Sequence, residues 1–451
     1  MEIRQFPIIR PRNAHPISRD AIDPDALKVL YRLKSMGYRA YLVGGSVRDL
    51  LMGRTPKDFD IGTDARPEEV RYLFRNSRLI GRRFRLAHIL FRGGKVVEVA
   101  TFRRRPDTAE AAENADLLVT SDNTWGTPEE DAERRDFTIN GLFYDIADYS
   151  VIDWVGGLAD LEAGLVRAIG DPDVRFREDP VRMLRAVEFA NRLSFAITPR
   201  DYEAILAHRK DLARAATSRV TEELAAMLRG GHALPTFLLL REVGLLDVLL
   251  PELSDELRRI DPEHPGGAGH YFWTLLEVLD AERRRGRSFD EAVYFAILGL
   301  PLLRAEIARV RPGGNAEPSL LIAKTNAVID PLATTLSAPN ALVHRVKSIL
   351  VSQGKLAHRP EWKASTRRFV FHPDFPAAVD LFEIRAMARG SGGELAGEWR
   401  HLAERVDRSG AGAAPAAPVL SEPGASPAAP GSPRPRRRRR GGRRRRGGAP
   451  A

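Results

Sequence analysis

Strand-type and helix-type patterning follow one another in this chain, and the change falls near residue 160 of 451. Before it, short β-rich runs stand at Tyr41–Val43, Lys57–Gly62, Ala87–Phe91 and Val96–Phe102. An amphipathic helix is predicted over Asp25–Met36, stopping at Gly37. After residue 160, apolar residues recur at helical spacing between Gly and Pro breaks. Val181–Leu193, Arg200–His208, Val220–Leu228, Leu234–Val243, Tyr271–Ala281 and Asn340–Val351 are the clearest helices. Strands first and helices afterwards is the α+β pattern. It predicts an α/β head with a mixed sheet, then an all-helical neck, body and leg.

The end of the chain is of another kind. Ten arginines and one acid, Glu422, fall within 409–451, so this tail carries nine of the ten net positive charges. Its Ala, Pro, Gly and Ser cannot bury enough apolar surface to offset ordering, which predicts disorder. A solubilising end is one reading. The other is a polyanion-binding arm, in which Arg436, Arg437, Arg438, Arg439, Arg440, Arg443, Arg444, Arg445 and Arg446 contact RNA phosphates.

The chain has no cysteine, which excludes disulfides, thiolate nucleophiles and Cys-based metal sites. No apolar run approaches the ~20 residues that span a bilayer, and Met1–Arg12 lacks the apolar core of a secretory signal. The expectation is a cytoplasmic protein with no membrane contact.

Three segments carry chemistry. In LVGGSVRDLLMG, residues 42–53, a strand runs into Gly44-Gly45-Ser46 and a helix is predicted from about Val47. Two glycines admit close approach to a ligand, helix-start amides favour anions, and Arg48 adds a charged donor. PKDFDIGT follows. If Lys57–Gly62 is a strand, Asp58 and Asp60 share one face, and paired carboxylates repel unless a cation lies between them. Such oxygen ligands suit Mg²⁺, which takes one or two carboxylates plus substrate phosphates. Glu98, between Val97 and Val99, is a third carboxylate, explained equally by the metal site or by an ion pair with Arg103.

The stretch GGSVRDLLMGRTPKDFDIGT resembles the signature of the class II, polymerase-β-type nucleotidyltransferases, which include bacterial poly(A) polymerases and CCA-adding enzymes. RRDFTINGLFYD (134–145) and REDPVRMLRAVEFANRLSF (177–195) agree with it. The resemblance implies AMP transfer from ATP to RNA 3′ ends, with pyrophosphate released. It implies two Mg²⁺ ions ~3.5–4 Å apart, held by Asp58 and Asp60. Asp136 matches a position counted among the family's catalytic acids, beside Asp58, Asp60 and Glu98. Gly44, Gly45, Arg48, Arg135 and Asn140 would hold sugar and phosphates, with Asp136 and Asn140 placed at i and i+4 of an apolar helix. Asp179, Arg182 and Arg185 recur at spacings of three, Pro180 standing at N1, and the matching Asp and Arg read the base edge.

The resemblance divides the chain into an extension (1–20), a catalytic head (21–168), a nucleotide- and RNA-binding neck (169–235), an RNA-binding body (236–408) and the tail. RLIGRRFRLAHILF (78–91), the segment 362–388 and the Arg-rich tail favour poly(A) polymerase, acting on mRNA, decay intermediates and tRNA. The alternatives are a CCA-adding tRNA nucleotidyltransferase and an inactive RNA-binding protein on the same scaffold. The acidic stretch 104–123 fits no assignment.

Overall fold

A computed structural model describes residues 6–81, 85–105, 124–259, 268–310, 317–361 and 363–408. Residues 106–123 of the acidic stretch, Trp362 at the start of the 362–388 segment and the arginine tail lie outside them.

Eight strands form the head sheet. They are β1 (Ile8–Arg10), β2 (Ala40–Val43), β3 (Asp60–Thr63), β4 (Ser77–Ile80), β5 (Leu86–Leu90), β6 (Val96–Thr101), β7 (Leu142–Asp145) and β8 (Val151–Asp153). Their order is β1-β8-β7-β2-β3-β6-β5-β4. Neighbours run antiparallel except β3 and β6, which are parallel, so the sheet is mixed. The segment 1–20, read as an extension, contributes β1 to the sheet edge and the buried Ile17 to the head core.

The first helix spans Pro24–Ser35, one residue earlier than expected at each end. Asp23 caps it by accepting from the amides of Asp25 and Ala26, and Pro24 fits the first turn because its missing N–H would be unpaired there. Ala26, Val29, Leu30 and Leu33 face the core with Leu42, Ile61 and Val99 of the sheet.

Two elements differ from the sequence reading near the site. Asp58 lies in the lead-in to β3 rather than within it, so the i, i+2 strand argument does not hold the two aspartates together. The RRDFTIN block is not a helix: a helix ends at Arg134, a 3₁₀ turn covers Thr138–Asn140, and β7 begins at Leu142. The β-branched and aromatic residues of TINGLFYD suit a strand, and Gly141 lets Val155 and the Thr138 carbonyl pack closely.

Beyond residue 160 the elements among the described residues are helices apart from a two-residue parallel pair, β9 (Leu165–Val166) and β10 (Ala196–Ile197). Helices cover Val181–Leu193, Pro199–His208, Thr217–Arg229, Ala233–Glu242, Ala268–Arg284 and Asn340–Leu356, each matching a predicted run to within a few residues. Pro180 precedes the first of them as its cap rather than occupying its first turn. One apolar core runs through these helices and takes in Phe137, Ile139 and Val166. At roughly 1.5–3 kcal/mol per buried large side chain, this shared core fixes the 136–140 segment against the neck.

Candidate active site

The carboxylates gather at one end of the sheet. Asp60 opens β3 opposite Val43 of β2 and, on its other side, in register with Glu98 of β6. Asp58 stands just upstream with its side chain largely exposed. Dense surrounding protein, then Glu98, push the Asp60 carboxyl up to about 6, with Asp58 adding to the rise and Arg135 opposing it. Negative charge is thus crowded here beyond what the protein's own cations relieve.

Glu98 is not paired with Arg103. Its partner is His88, directly across on β5, with Nε2 3.2 Å from Oε1. Arg103 is buried, its amide donating to Asp131 Oδ1 at 3.1 Å and its guanidinium to the Arg85 carbonyl at 3.0 Å. Among the described residues no three or more His, Asp or Glu side chains stand close enough together to hold a metal ion by themselves. A few crowded carboxylates open to solvent fit Mg²⁺, which keeps waters and takes substrate phosphates as its other ligands.

The glycine turn lies beside them. Gly44 has φ +73°, a conformation that favours glycine, and the tip of the Arg135 side chain packs against it. The helix after it runs Gly45–Leu51, starting two residues before the predicted Val47. Arg48 is buried: Nη1 donates to Asn140 Oδ1 at 2.5 Å and Nε to Asp49 Oδ1 at 2.8 Å, and its guanidinium lies 5.3 Å from the Phe189 ring centre. Arg135 donates to Asp131 Oδ2 at 3.0 Å and lies over Phe143.

Asp136 is held in a cluster with Arg185, Asn140 and the Phe137 amide. Its Oδ2 accepts from Arg185 Nε at 2.7 Å, and Oδ1 accepts from the Phe137 amide at 2.8 Å and Asn140 Nδ2 at 3.1 Å. Arg185 also donates to Glu223 at 3.1 Å. Despite burial, the Arg185 charge and these hydrogen bonds hold Asp136 well below the ordinary carboxylate range. Asp136 therefore ties the head to two neck helices, and Asn140 passes the connection on to Arg48.

Asp179 and Arg182 do not form the close pair expected. Asp179 precedes the helix instead of lying on its face, and Arg219 grips both its oxygens at 2.8 Å. Arg182 Nε is 4.0 Å from Asp179, and its other nitrogens face Glu178 and the carbonyls of Arg175 and Arg134. Arg219, Glu223, Asp131, Arg175 and His88 were missed in the sequence. Each is a polar or charged residue at ordinary helix or strand spacing, with no local signal to distinguish it from any surface side chain.

A glycine turn, a carboxylate row at the sheet's end and arginines supplied from a helical neck define a nucleotidyltransferase. Family models agree along the chain: "Poly A polymerase head domain" matches 40–167, "Probable RNA and SrmB- binding site of polymerase A" 194–257, and "Polymerase A arginine-rich C-terminus" 314–446. Poly(A) polymerase I of Salmonella typhi is 41% identical over 85% of this chain and 82% of its own length. The CCA-adding enzyme of Lactobacillus helveticus is 38% identical over 53% of this chain and 58% of its own. Among solved structures, the Bacillus stearothermophilus CCA-adding enzyme in complex with CTP superposes with a TM-score of 0.55 at 27% identity, covering 86% of this chain and 83% of that one. The chain belongs to the poly(A) polymerase family.

Proposed function

We propose that the protein transfers AMP from ATP to RNA 3′ hydroxyls without a template, releasing pyrophosphate and acting in cytoplasmic mRNA polyadenylation and decay. The observation that carries this over CCA addition is the extent of likeness: poly(A) polymerase I matches 85% of the chain, the CCA-adding enzyme about half.

Asp58 and Asp60, with Glu98 beside them, would hold Mg²⁺, whose charge stabilises the attacking and leaving oxygens of an in-line displacement. The Gly44 turn and the Gly45 amide admit the triphosphate, while Arg135, fixed by Asp131, places a cation next to it. Arg48 and Asn140 set the turn's position from behind. Positioning and charge neutralisation suffice, so no covalent enzyme intermediate is required.

Asp179 and Arg182 are assigned to the base edge. Arg219 fixes Asp179 in one orientation, and a fixed carboxylate presents one acceptor pattern. Asp179→Ala, Arg182→Ala and Arg219→Ala should each lower the ATP:CTP preference by about tenfold, the ~1.4 kcal/mol of a charge-assisted hydrogen bond. The measurement is kcat/KM for both nucleotides. Equal slowing of ATP and CTP in all three variants would place selectivity elsewhere.

The arginine tail is assigned to RNA phosphates. Deleting residues 409–451 should leave turnover on a short, saturating oligonucleotide intact while weakening RNA binding, most at low salt. The loss should be similar for unrelated sequences, since phosphate contacts carry no sequence information. Parallel plots of log K against log salt for full-length and truncated protein would show that the arginines do not engage RNA.

A further inference from the structure

The head carries a cationic surface that none of the assigned roles uses. Tyr72, on the helix Pro67–Leu73, is 86% exposed, so nearly the whole ring meets solvent. Arg71 and Arg75 flank it in the sequence, and Arg32 comes from the first helix; together they line one open depression floored by the buried Phe74. The Arg32 guanidinium lies 5.6 Å from the Phe74 ring centre. The loop after the helix is pinned at both ends. Ser77 Oγ donates to the Phe74 carbonyl at 2.6 Å, and Asn76 Nδ2 donates to the Leu90 carbonyl at 2.7 Å. Ring and cations therefore stand on a fixed backbone, which lowers the ordering cost of binding.

The acids of the two helices are engaged elsewhere. Asp25 binds Lys28 and Lys95, Glu68 binds Arg85, and Glu69 accepts from the Arg66 amide at 2.6 Å. Arg32, Arg71 and Arg75 are exposed and pair with no carboxylate among the described residues. Three like charges around one exposed ring favour an anion that also has a flat face to offer.

This surface stands at the edge of the sheet that holds the carboxylates. Asn76 leads into β4, where Arg78 is in register with His88 of β5, His88 with Glu98 of β6, and Glu98 with Asp60 of β3. Three strand spacings, about 14 Å, separate Arg78 from Asp60. That is the distance of upstream nucleotides, not of the reacting end.

We infer that Tyr72, with Arg32, Arg71 and Arg75, forms a docking site for single-stranded RNA on the head, outside the neck, body and tail that carry the assigned RNA contacts. The ring offers its face to an unpaired base, and the guanidiniums offer N–H edges to the flanking phosphates. Every base has such a face, so the site tolerates any sequence. A duplex, whose bases are already stacked, gains nothing from the ring. An acidic protein segment would use the arginines and leave the ring idle, so the exposed aromatic is what favours RNA. The inference rests on the function proposed above, whose substrate is an RNA 3′ end.

The test uses the full chain and oligo(A) of about 30 nucleotides, with binding followed by fluorescence anisotropy across a salt series, without ATP. Tyr72→Ala should weaken binding by about tenfold, as loss of one base stack does, and leave the salt slope in place. Tyr72→Phe keeps the ring and should bind like wild type. Arg71→Ala with Arg75→Ala should weaken binding most at low salt and flatten the slope by about 1.4, roughly 0.7 for each phosphate of a single strand. In turnover assays the loss should appear in the KM for RNA. Unchanged affinity in a Tyr72→Ala protein that melts like wild type would overturn the site, as would an equal loss in Tyr72→Phe. So would an arginine pair variant that loses poly-glutamate and RNA alike while Tyr72→Ala loses neither, which would assign the surface to an acidic protein partner. Wild-type protein that binds RNA but adds no AMP would instead refute the proposed activity, while leaving this binding result readable.

Discussion

Asp60→Asn should lower AMP incorporation by about 10³-fold or more, the several kcal/mol that a metal ion supplies to a phosphoryl transition state. Asp58→Asn should be similarly crippled, and neither change should unfold the head. The Asp60 carboxylate accepts no hydrogen bond from a described residue, and Asp58 is largely exposed beside Lys57. The fold resists the Asp60 charge. The carboxyl is raised from 3.8 to about 6, so ionisation as pH climbs through that window disfavours the native state. Asp60 is exposed at the start of β3 and water screens most of this, so Asn should leave the melting temperature equal or slightly higher. In the wild type the proton competes with Mg²⁺, so activity at limiting magnesium should fall as pH drops below about 6. Near-normal turnover of either variant at ordinary magnesium would remove these residues from the site.

The second large effect falls on the Asp136–Arg185 pair. Asp136→Ala leaves Arg185 facing Glu223 alone, and Arg185→Ala leaves a buried carboxylate with only neutral donors. Removing one partner of a fully buried pair costs about 3–5 kcal/mol, but a third of the Arg185 side chain is in water, so each variant should lose about 1–2 kcal/mol of stability. The double variant should lose less than the sum of the singles. Because Asp136 titrates below its unfolded value, its contribution is present above about pH 4 and disappears as pH falls through the depressed value. Urea unfolding of the four proteins at neutral and acid pH measures both. Additive losses with no acid dependence would show that the contact is not an energetic tie. Asp136→Asn separates this role from metal binding: it keeps the hydrogen bonds to Asn140 and Phe137, so it should retain far more activity than Asp60→Asn.

The division of the molecule at residue 160 was legible because sheet and helix impose different periods on apolar residues, and Val181–Leu193 matches its predicted span at both ends. The Gly44 turn was legible too, since two adjacent glycines between a strand and a helix have few other uses. Placement within the site was less so. Asp136 and Asn140 do touch, at 3.1 Å, but through an irregular turn rather than a helix face. An i, i+4 spacing does not specify the backbone that spans it. Arg219 grips Asp179 across 40 residues and His88 meets Glu98 across a strand pair. Such partners are set by topology, and no local pattern in the sequence announces them.

One assay decides the central claim. Purified protein is given an A-ended oligonucleotide and, separately, a tRNA lacking its CCA end, each with ATP alone, CTP alone or both. The proposed activity gives long A tails from ATP on both RNAs and little incorporation from CTP. Addition of two C residues and one A to the tRNA, with no extension of the oligonucleotide, would contradict it.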